Sequence, residues 1–588
     1  MNIVLTSLNS KYIHSNLAIR YLSEYVKDLI GIDVFEFTIN QNQDFIASEI
    51  HKKKPDIIGF STYIWNLEET LRVCEILKQV NPSIKILLGG PEVSYDPVSI
   101  METYRFIDYI IYGEGEETFR EFVDLSIKGR GATSIDGLVY REKNRIITNI
   151  SRELIEDLNK IPSPYEKINN EFKNKIVYYE SSRGCPFNCQ FCLSSTIKGV
   201  RFFNIDRVKK DLYNLIKGKV KQVKFIDRTF NANKRYAMEI MQFIMDQDPR
   251  NMNFHFEVTA HLLDEELLEF LSNTKEGLFQ FEIGVQSTNE KTLQAIGRTT
   301  NIPKLKEVVG RIKSYENIHQ HLDLIAGLPY EDLESFKKSF NEVYELKPEK
   351  LQLGFLKLLK GSDLRLNSDI YGYKYIDSPP YEVLENNYMT YSDIIILKGI
   401  EDLIEKYYNG NYFKHTLGFI IKNYYKNPYE FYEDFLSYWN HKGYHKVLHS
   451  RNRLYTILKQ FSEYKDYSHI ELLNNLLNYD YLLNNKNGNL KLLPNDKHRG
   501  LSRRHIHDIL KDETILERYL NRYKNTPTKT LINKIRIEKF DKNILDIINN
   551  GYKPVSEENN RYILFDYKDG QITRCLAYDI TEIVRELI

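Results

Sequence analysis

An α/β chain is predicted: two successive strand-and-helix series, then a mostly helical extension that ends in a β-hairpin. Three observations carry this reading. The first 130 residues alternate short apolar runs with helical patterns, a second alternating series begins after a proline-punctuated stretch, and alternation stops near residue 370. Alternation of this kind belongs to parallel sheets covered by helices on both faces.

In the first series the strand candidates are Asn2–Leu5, Val34–Phe37, Asp56–Phe60, Ile84–Leu88 and Asp108–Tyr112. Helical periods lie between them. In one, Leu67, Leu71, Cys74 and Leu77 share a face behind Asn66, which is placed to cap the helix. Cys74 therefore reads as core packing. This part, 1–135, is predicted to be Rossmann-like. A hairpin, Leu138–Arg141 with Arg145–Thr148, and the run Ile161-Pro162-Ser163-Pro164 then mark a linker over 136–172.

The second series, 173–370, has strand candidates Ile176–Ser182, Gln222–Asp227, Asn253–Ala260, Leu278–Val285, His319–Ala326 and Lys350–Leu356. Six units fit an open or partly closed (β/α)6 barrel. In the α+β extension, 371–588, Tyr391–Tyr408 and Pro428–Trp439 read as aromatic-rich helices. Tyr562–Tyr567 and Ile572–Tyr578 read as the terminal hairpin.

The bulk numbers set the class. A chain of 588 residues is too long for one core. Its 81 basic and 81 acidic residues cancel, so no strong global field for nucleic acid or membrane is expected, although a local patch stays open. No apolar run is long enough to span a bilayer and the N-terminus does not read as a signal peptide, so a cytoplasmic protein is expected. Five cysteines do not make a disulfide framework.

Three of those five, Cys185, Cys189 and Cys192, stand in the spacing C-x-x-x-C-x-x-C after the first strand of the second series. Soft thiolates suit iron–sulfur clusters, usually in fours. Only three are close here, which leaves one iron open to a substrate or cosubstrate. A zinc site one ligand short, or chance clustering of buried thiols, has the same donors but not the same strand context.

With Phe191 in the aromatic position, Cys185-Pro186-Phe187-Asn188-Cys189-Gln190-Phe191-Cys192 resembles the signature of the radical S-adenosylmethionine (SAM) superfamily. The resemblance implies a [4Fe–4S] cluster whose open iron binds SAM, and reductive cleavage to a 5′-deoxyadenosyl radical. Further segments resemble one branch of that superfamily: Asp227 after the second strand, Glu257 on the third, Gln286 in Gly-Val-Gln-Ser followed by Arg298, and Asp323 in Asp-Leu-Ile-Ala-Gly-Leu-Pro. The resemblance implies SAM contacts for Phe191 and for these five, near the C-terminal edge of the barrel. The usual Gly-Gly-Glu after the second strand is absent.

The first domain resembles the cobalamin-binding module that precedes many radical SAM domains. The matching loops carry Ser61 and Thr62, then Gly89, Gly90 and Pro91, then Gly113, Glu114 and Gly115. Glycines at strand ends let a bulky ligand approach the backbone. The cobalt-ligating D-x-H-x-x-G string is absent. His14, in the loop after the first strand, is the nearest imidazole and reads as a structural or pocket-lining residue. The last region resembles the uncharacterised extension of one group of these proteins. Its basic run 497–507 reads as a solvated loop, and His505 with His507 is a metal pair without a third ligand.

The resemblance implies a cobalamin-dependent radical SAM enzyme that methylates an unactivated carbon of an unknown substrate. The same domain pair also serves cyclisation and rearrangement. A tRNA methylthiotransferase would need three more cysteines in the first domain, which holds only Cys74; a cobalamin sensor would not need the barrel acids. An electron donor such as flavodoxin or ferredoxin is the expected partner, with no membrane and no clear nucleic-acid signal.

Overall fold

Every residue of β1 (Ile3–Asn9) is buried, as expected of a strand covered on both faces. In the computed structural model, which describes residues 1–132, 134–168, 170–486, 501–554, 560–567 and 575–587, it lies inside a seven-stranded sheet. The other strands are β2 (Asp33–Thr38), β3 (Ile57–Ser61), β4 (Lys85–Gly89), β5 (Tyr109–Ile111), β6 (Leu138–Glu142) and β7 (Arg145–Thr148), in the order β2-β1-β3-β4-β5-β6-β7. The first five are parallel; β6 joins β5 antiparallel, Tyr109 opposite Tyr140. The hairpin read as linker thus extends the sheet.

Helices on each face close two apolar layers. One is built on Val4, Ile58, Ile86 and Cys74, the other on Ile3, Leu5, Leu87 and Phe119. Cys74 is fully buried on helix Leu67–Val80, and burial pushes its thiol far up. Asn66 does not cap that helix with its side chain. Its amide donates to the carbonyls of Leu8 and Ser61, both at 3.0 Å, and its oxygen accepts from Tyr63 N, so it ties together the ends of β1 and β3.

The second sheet contains β8 (Ile176–Tyr179), β11 (Gln222–Phe225), β12 (Asn253–Glu257), β13 (Phe279–Gln286), β14 (His319–Ala326) and β15 (Lys350–Phe355), in the order β15-β14-β13-β12-β11-β8. Between the first two in sequence, β9 (Ser182–Cys185) and β10 (Gly199–Phe202) form a separate antiparallel pair. The six strands follow one another in chain order, the arrangement of an open (β/α)6 barrel. Helices Ile205–Lys217, Lys234–Asp246, Glu265–Ser272, Glu290–Ala295 and Ile302–Tyr315 each start on an Asn or Asp whose side chain accepts a backbone N–H of the first turn. The loop after β1 reaches this sheet: Ile176 N donates to Ile13 O at 2.6 Å, and His14 bridges Ile176. A small antiparallel pair, β16 (Lys374–Tyr375) and β17 (Val383–Glu385), follows.

The chain divides into two compact units, 1–336 with 353–394, and 337–352 with 395–588. Everything bearing on the site lies in the first. The second has helices Lys414–Tyr424, Pro428–His441, Arg451–Tyr464 and Ile470–Asn484 around Tyr432, Phe435, Trp439 and Tyr455, all buried. A three-stranded sheet of β18 (Ile535–Phe540), β19 (Arg561–Asp566) and β20 (Leu576–Asp579) follows, and the last helix is Thr581–Leu587. The expected hairpin is β19 with β20; its turn and residues 497–500 of the basic run fall outside the described residues. Among the described residues no helix is long and apolar enough to cross a membrane.

Candidate active site

β9 ends on Cys185, and the loop to Cys192 folds against the C-terminal end of the barrel. Gln190 N donates to Ile296 O at 3.0 Å, Leu364 N donates to Gln190 O at 2.9 Å, and Cys192 N donates to Cys189 O at 3.0 Å. Phe191, read from the sequence as a cosubstrate contact, packs its ring against the apolar cluster of Ile296, Leu328, Leu356 and Leu364. Gly297 holds a φ of +70°, and a Cβ there would lie 2.5 Å from the Asn188 carbonyl oxygen, inside the cysteine loop. Only glycine admits that approach.

Cys189 is buried, while Cys185 and Cys192 are half-buried. Burial pushes the Cys189 thiol up, Arg298 draws it down, and Cys192 and Cys185 push it up again, so the three sulfurs share one electrostatic environment. Among the described residues no three His, Cys, Asp or Glu side chains are already drawn together at metal-holding distance. The donor set still fits an iron–sulfur cluster: three soft thiols on one loop, one of them beside a guanidinium, which stabilises thiolate. Cys74 is locked in its core and Cys575 belongs to the second unit.

Of the barrel residues predicted from sequence, Gln286 is the most distinctive. It has a φ of +69° at the end of β13, where the register with β14 shifts, and its buried Oε1 has no hydrogen-bond partner among the described residues. Strain and an unpaired buried acceptor at one residue are the features expected where a ligand is held. Arg298 donates from Nη2 to Gly284 O at 2.8 Å and sets Nη1 3.8 Å from Cys189 Sγ. Asp323 sits opposite Gly284 on β14. Arg298 thus links Gly284, beside which Gln286 and Asp323 stand, to Cys189, a donor and acceptor set that fits SAM beside a cluster.

Asp227 and Glu257 stand differently. Asp227 is buried and accepts from Ser181 N at 3.0 Å and from the hydroxyls of Ser181 and Ser182, each at 2.6 Å. Burial raises its pKa and these hydrogen bonds oppose the rise. Its acceptors are committed to the segment leading into β9, so it supports the cysteine loop. Glu257 ends β12; burial pushes it up and Arg228 pulls it down.

The three glycine-bearing loops of the first sheet surround a cleft of about 130 Å³ lined by Leu5, Ile19, Leu22, Ser61, Gly89, Gly90, Gly113, Gly115 and Glu116 among others. Gly90 has a φ of +117°, and a Cβ there would strike the Thr62 carbonyl oxygen. Thr62 closes the same corner, donating its N–H to Gly89 O at 2.7 Å. Pro91 starts a one-turn helix, Pro91–Ser94. An apolar cleft with a glycine rim fits an extended ligand tail. His14 does not line it: its Nδ1 lies 2.8 Å from Tyr178 OH in the barrel.

Sequence reasoning missed the ion cluster between the two sites. Arg183, two residues before Cys185, pairs with Glu116 at 2.5 Å and Glu180 at 2.8 Å, and lies 3.5 Å from Glu114. Glu114 also takes Arg201 of β10 at 2.6 Å and accepts Ile155 N at 2.8 Å. Glu114 is therefore engaged with the barrel, and Glu116, absent from the predicted set, lines the cleft. Charge spacing alone could not have paired residues 67 apart.

Comparison with known proteins agrees with this arrangement. Residues 3–123 match the B12 binding domain, 179–343 the Radical SAM superfamily, and 369–565 a Protein of unknown function (DUF4080). The chain is 29% identical over 328 residues to an "Uncharacterized methyltransferase PH0819" of Pyrococcus horikoshii, covering 54% of this chain and 70% of that protein. It is 24% identical over 312 residues to the "Cobalamin-dependent radical SAM methyltransferase TokK" of Streptomyces tokunonensis, covering 50% of this chain and 45% of TokK, less than half of it. The solved structure of "Cobalamin-dependent S-adenosylmethionine radical enzyme OxsB" has the same fold, with a TM-score of 0.57 at 15% identity over 82% of this chain and 78% of OxsB.

A three-cysteine loop on an open barrel, joined to a Rossmann-like cleft domain, defines a radical SAM enzyme. The chain joins, in this order, a region matching the B12 binding domain, one matching the Radical SAM superfamily and one matching the DUF4080 model. The cofactors these regions call for are cobalamin and SAM, with an iron–sulfur cluster the group that the three loop cysteines fit.

Proposed function

We propose that the protein transfers a methyl group to an unactivated carbon of a substrate still to be identified. When bound, the cluster supplies the electron that cleaves SAM, and cobalamin carries the methyl group. Cys185, Cys189 and Cys192 would hold the cluster. Gln286 Oε1 and Arg298 would hold SAM by hydrogen bonds, with Asp323 and Glu257 facing the same mouth. The loops at Ser61–Thr62, Gly89–Pro91 and Gly113–Gly115 would seat cobalamin, and Glu114 holds the last of these to Arg201.

The observation that carries the reading is the ion pair of Arg183 with Glu116. It joins a cleft residue to the strand that presents Cys185, so the two cofactor sites are braced against each other, as chemistry needing both requires. The methyltransferase names of the relatives support the same outcome. A one-electron donor of the flavodoxin or ferredoxin type is the implied partner. Loaded protein given SAM with a trideuterated methyl group and anaerobic cell extract should place label in a small-molecule or RNA product. 5′-Deoxyadenosine released with an unlabelled altered product would replace methyl transfer by cyclisation or rearrangement.

A further inference from the structure

The inward face of the barrel is polar where a barrel interior is ordinarily apolar. Successive strand residues point to opposite faces. On β8, β11, β12 and β13 the residues Tyr179, Phe225, Phe256 and Phe281 are buried; Tyr179 reaches Asp211 of the covering helix Ile205–Lys217. Their neighbours in alternation are Tyr178, Lys224, His255, Gln280 and Glu282, with His321 on β14. Lys224, His255, Gln280, Glu282 and His321 meet across the lumen, and Tyr178 stands beside Lys224 in strand register. Lys224 Nζ lies 3.0 Å from Glu282 Oε2, a strand beyond its neighbour, and His255 Nε2 lies 2.9 Å from the same oxygen. Gln280 Nε2 is 3.3 Å from His255 Nδ1 and 3.1 Å from His321 Nε2.

A structural barrel core is filled by branched apolar side chains. Placing an ion pair, two imidazoles, an amide and a phenol there costs stability unless something uses their hydrogen-bonding capacity. That capacity is left over. Lys224 gives one of its three N–H groups, to Glu282, and only Oε2 of Glu282 is engaged among the described residues. Both side chains remain about a quarter exposed, so the pair is not sealed from solvent. Tyr178 adds a hydroxyl 2.8 Å from His14, which places the first-domain loop in the same wall.

We infer that the barrel lumen at Lys224 and Glu282 seats a hydrophilic substrate group with adjacent hydrogen-bond donors and acceptors, of the polyol or amide kind and not a hydrocarbon. This rests on the reading of the chain as a radical enzyme that alters a bound substrate. Lys224 donates to an acceptor of that group, Glu282 Oε1 accepts from its hydroxyl or N–H, and the paired charges stay in place. An apolar skeleton would strip water from the pair without replacing it.

Equilibrium dialysis of the loaded holoenzyme tests this with two radiolabelled probes of similar size, N-acetylglucosamine and cyclohexanemethanol. N-Acetylglucosamine should bind the unmodified enzyme more tightly than cyclohexanemethanol. Its affinity should fall about tenfold or more in the Lys224→Met/Glu282→Leu double variant, which removes both charges and orphans neither. Glu282→Gln, which keeps shape and hydrogen bonding, should weaken it less and guards against misfolding of the double variant. Preference of the unmodified enzyme for cyclohexanemethanol, or N-acetylglucosamine binding unchanged in both variants, overturns the inference. Labelled-methyl transfer is scored separately. Polar binding without methyl transfer sinks methylation and leaves the lumen site standing; methyl transfer with apolar preference does the reverse.

Discussion

Replacing Arg183 by Met should uncouple the two cofactor sites, and the size of the effect follows from its surroundings. The side chains of Arg183, Glu116 and Glu180 are 15%, 8% and 10% exposed, so the cluster is nearly dry. Arg201 still holds Glu114 in the variant, but Glu116 and Glu180 lose their cation. Breaking a buried pair by removing one partner costs about 3–5 kcal/mol. A chain of this size does not unfold in one step, so the cost is best read locally by hydrogen exchange. Peptides spanning 112–118 and 180–186 should exchange about 10²–10⁴-fold faster in Arg183→Met. Arg183→Lys, which keeps the charge without the planar fork, should fall between. Cobalamin affinity and cluster retention should drop together. Unchanged protection in both peptides would refute the bracing role, as would loss of one cofactor with the other untouched.

Three further outcomes are expected. Gly297→Ala should lower iron content after reconstitution, because its Cβ meets the Asn188 carbonyl oxygen and its φ is +70°, whereas alanine at Gly310, which has open space, should not. In the second unit, burial raises Asp480 to about 7 and lowers His415 to about 4. An acid with a raised pKa stabilises the fold at low pH and loses that contribution as pH rises from about 4 to about 7; a depressed histidine adds stability as pH rises from about 4 to about 6.5. The two oppose each other, by at most roughly 3–4 kcal/mol each, so Asp480→Asn should make stability climb over that window and His415→Gln should make it fall, as followed by thermal melts at several pH values. Cobalt(II) in the bound corrinoid should give electron paramagnetic resonance lines without nitrogen splitting from the protein, since His14 is held by Tyr178; three-line splitting that vanishes in His14→Ala would contradict this.

The first sheet was legible because its inner strands are buried on both faces and appear as unbroken apolar runs, as in Ile3–Leu5 and Ile57–Phe60. The cysteine loop was legible from spacing alone. Local pattern failed wherever a long-range contact decided the outcome. Asn66 has the residue type and position of a helix cap, yet two carbonyls on neighbouring strand ends claim its amide. The hairpin Leu138–Thr148 resembles a linker until β5 is seen to offer it an open edge. Asp227 has the position of a ligand contact, but Ser181 and Ser182 take its oxygens. β18 was missed because Arg536, Glu538 and Lys539 break its apolar signal. The left-handed backbone of Gln286 and the pairing of Arg183 with Glu116 leave no trace in sequence, since both depend on packing between segments distant along the chain.

The most direct test of the account is anaerobic reconstitution with iron, sulfide, cobalamin and SAM, followed by reduction and quantification of 5′-deoxyadenosine. The account predicts about four irons per chain, 5′-deoxyadenosine from the unmodified protein, and none from Cys185→Ala, Cys189→Ala or Cys192→Ala. Cys74→Ala and Cys575→Ala should keep full iron content. Cleavage of SAM that survives in all three loop variants would contradict it.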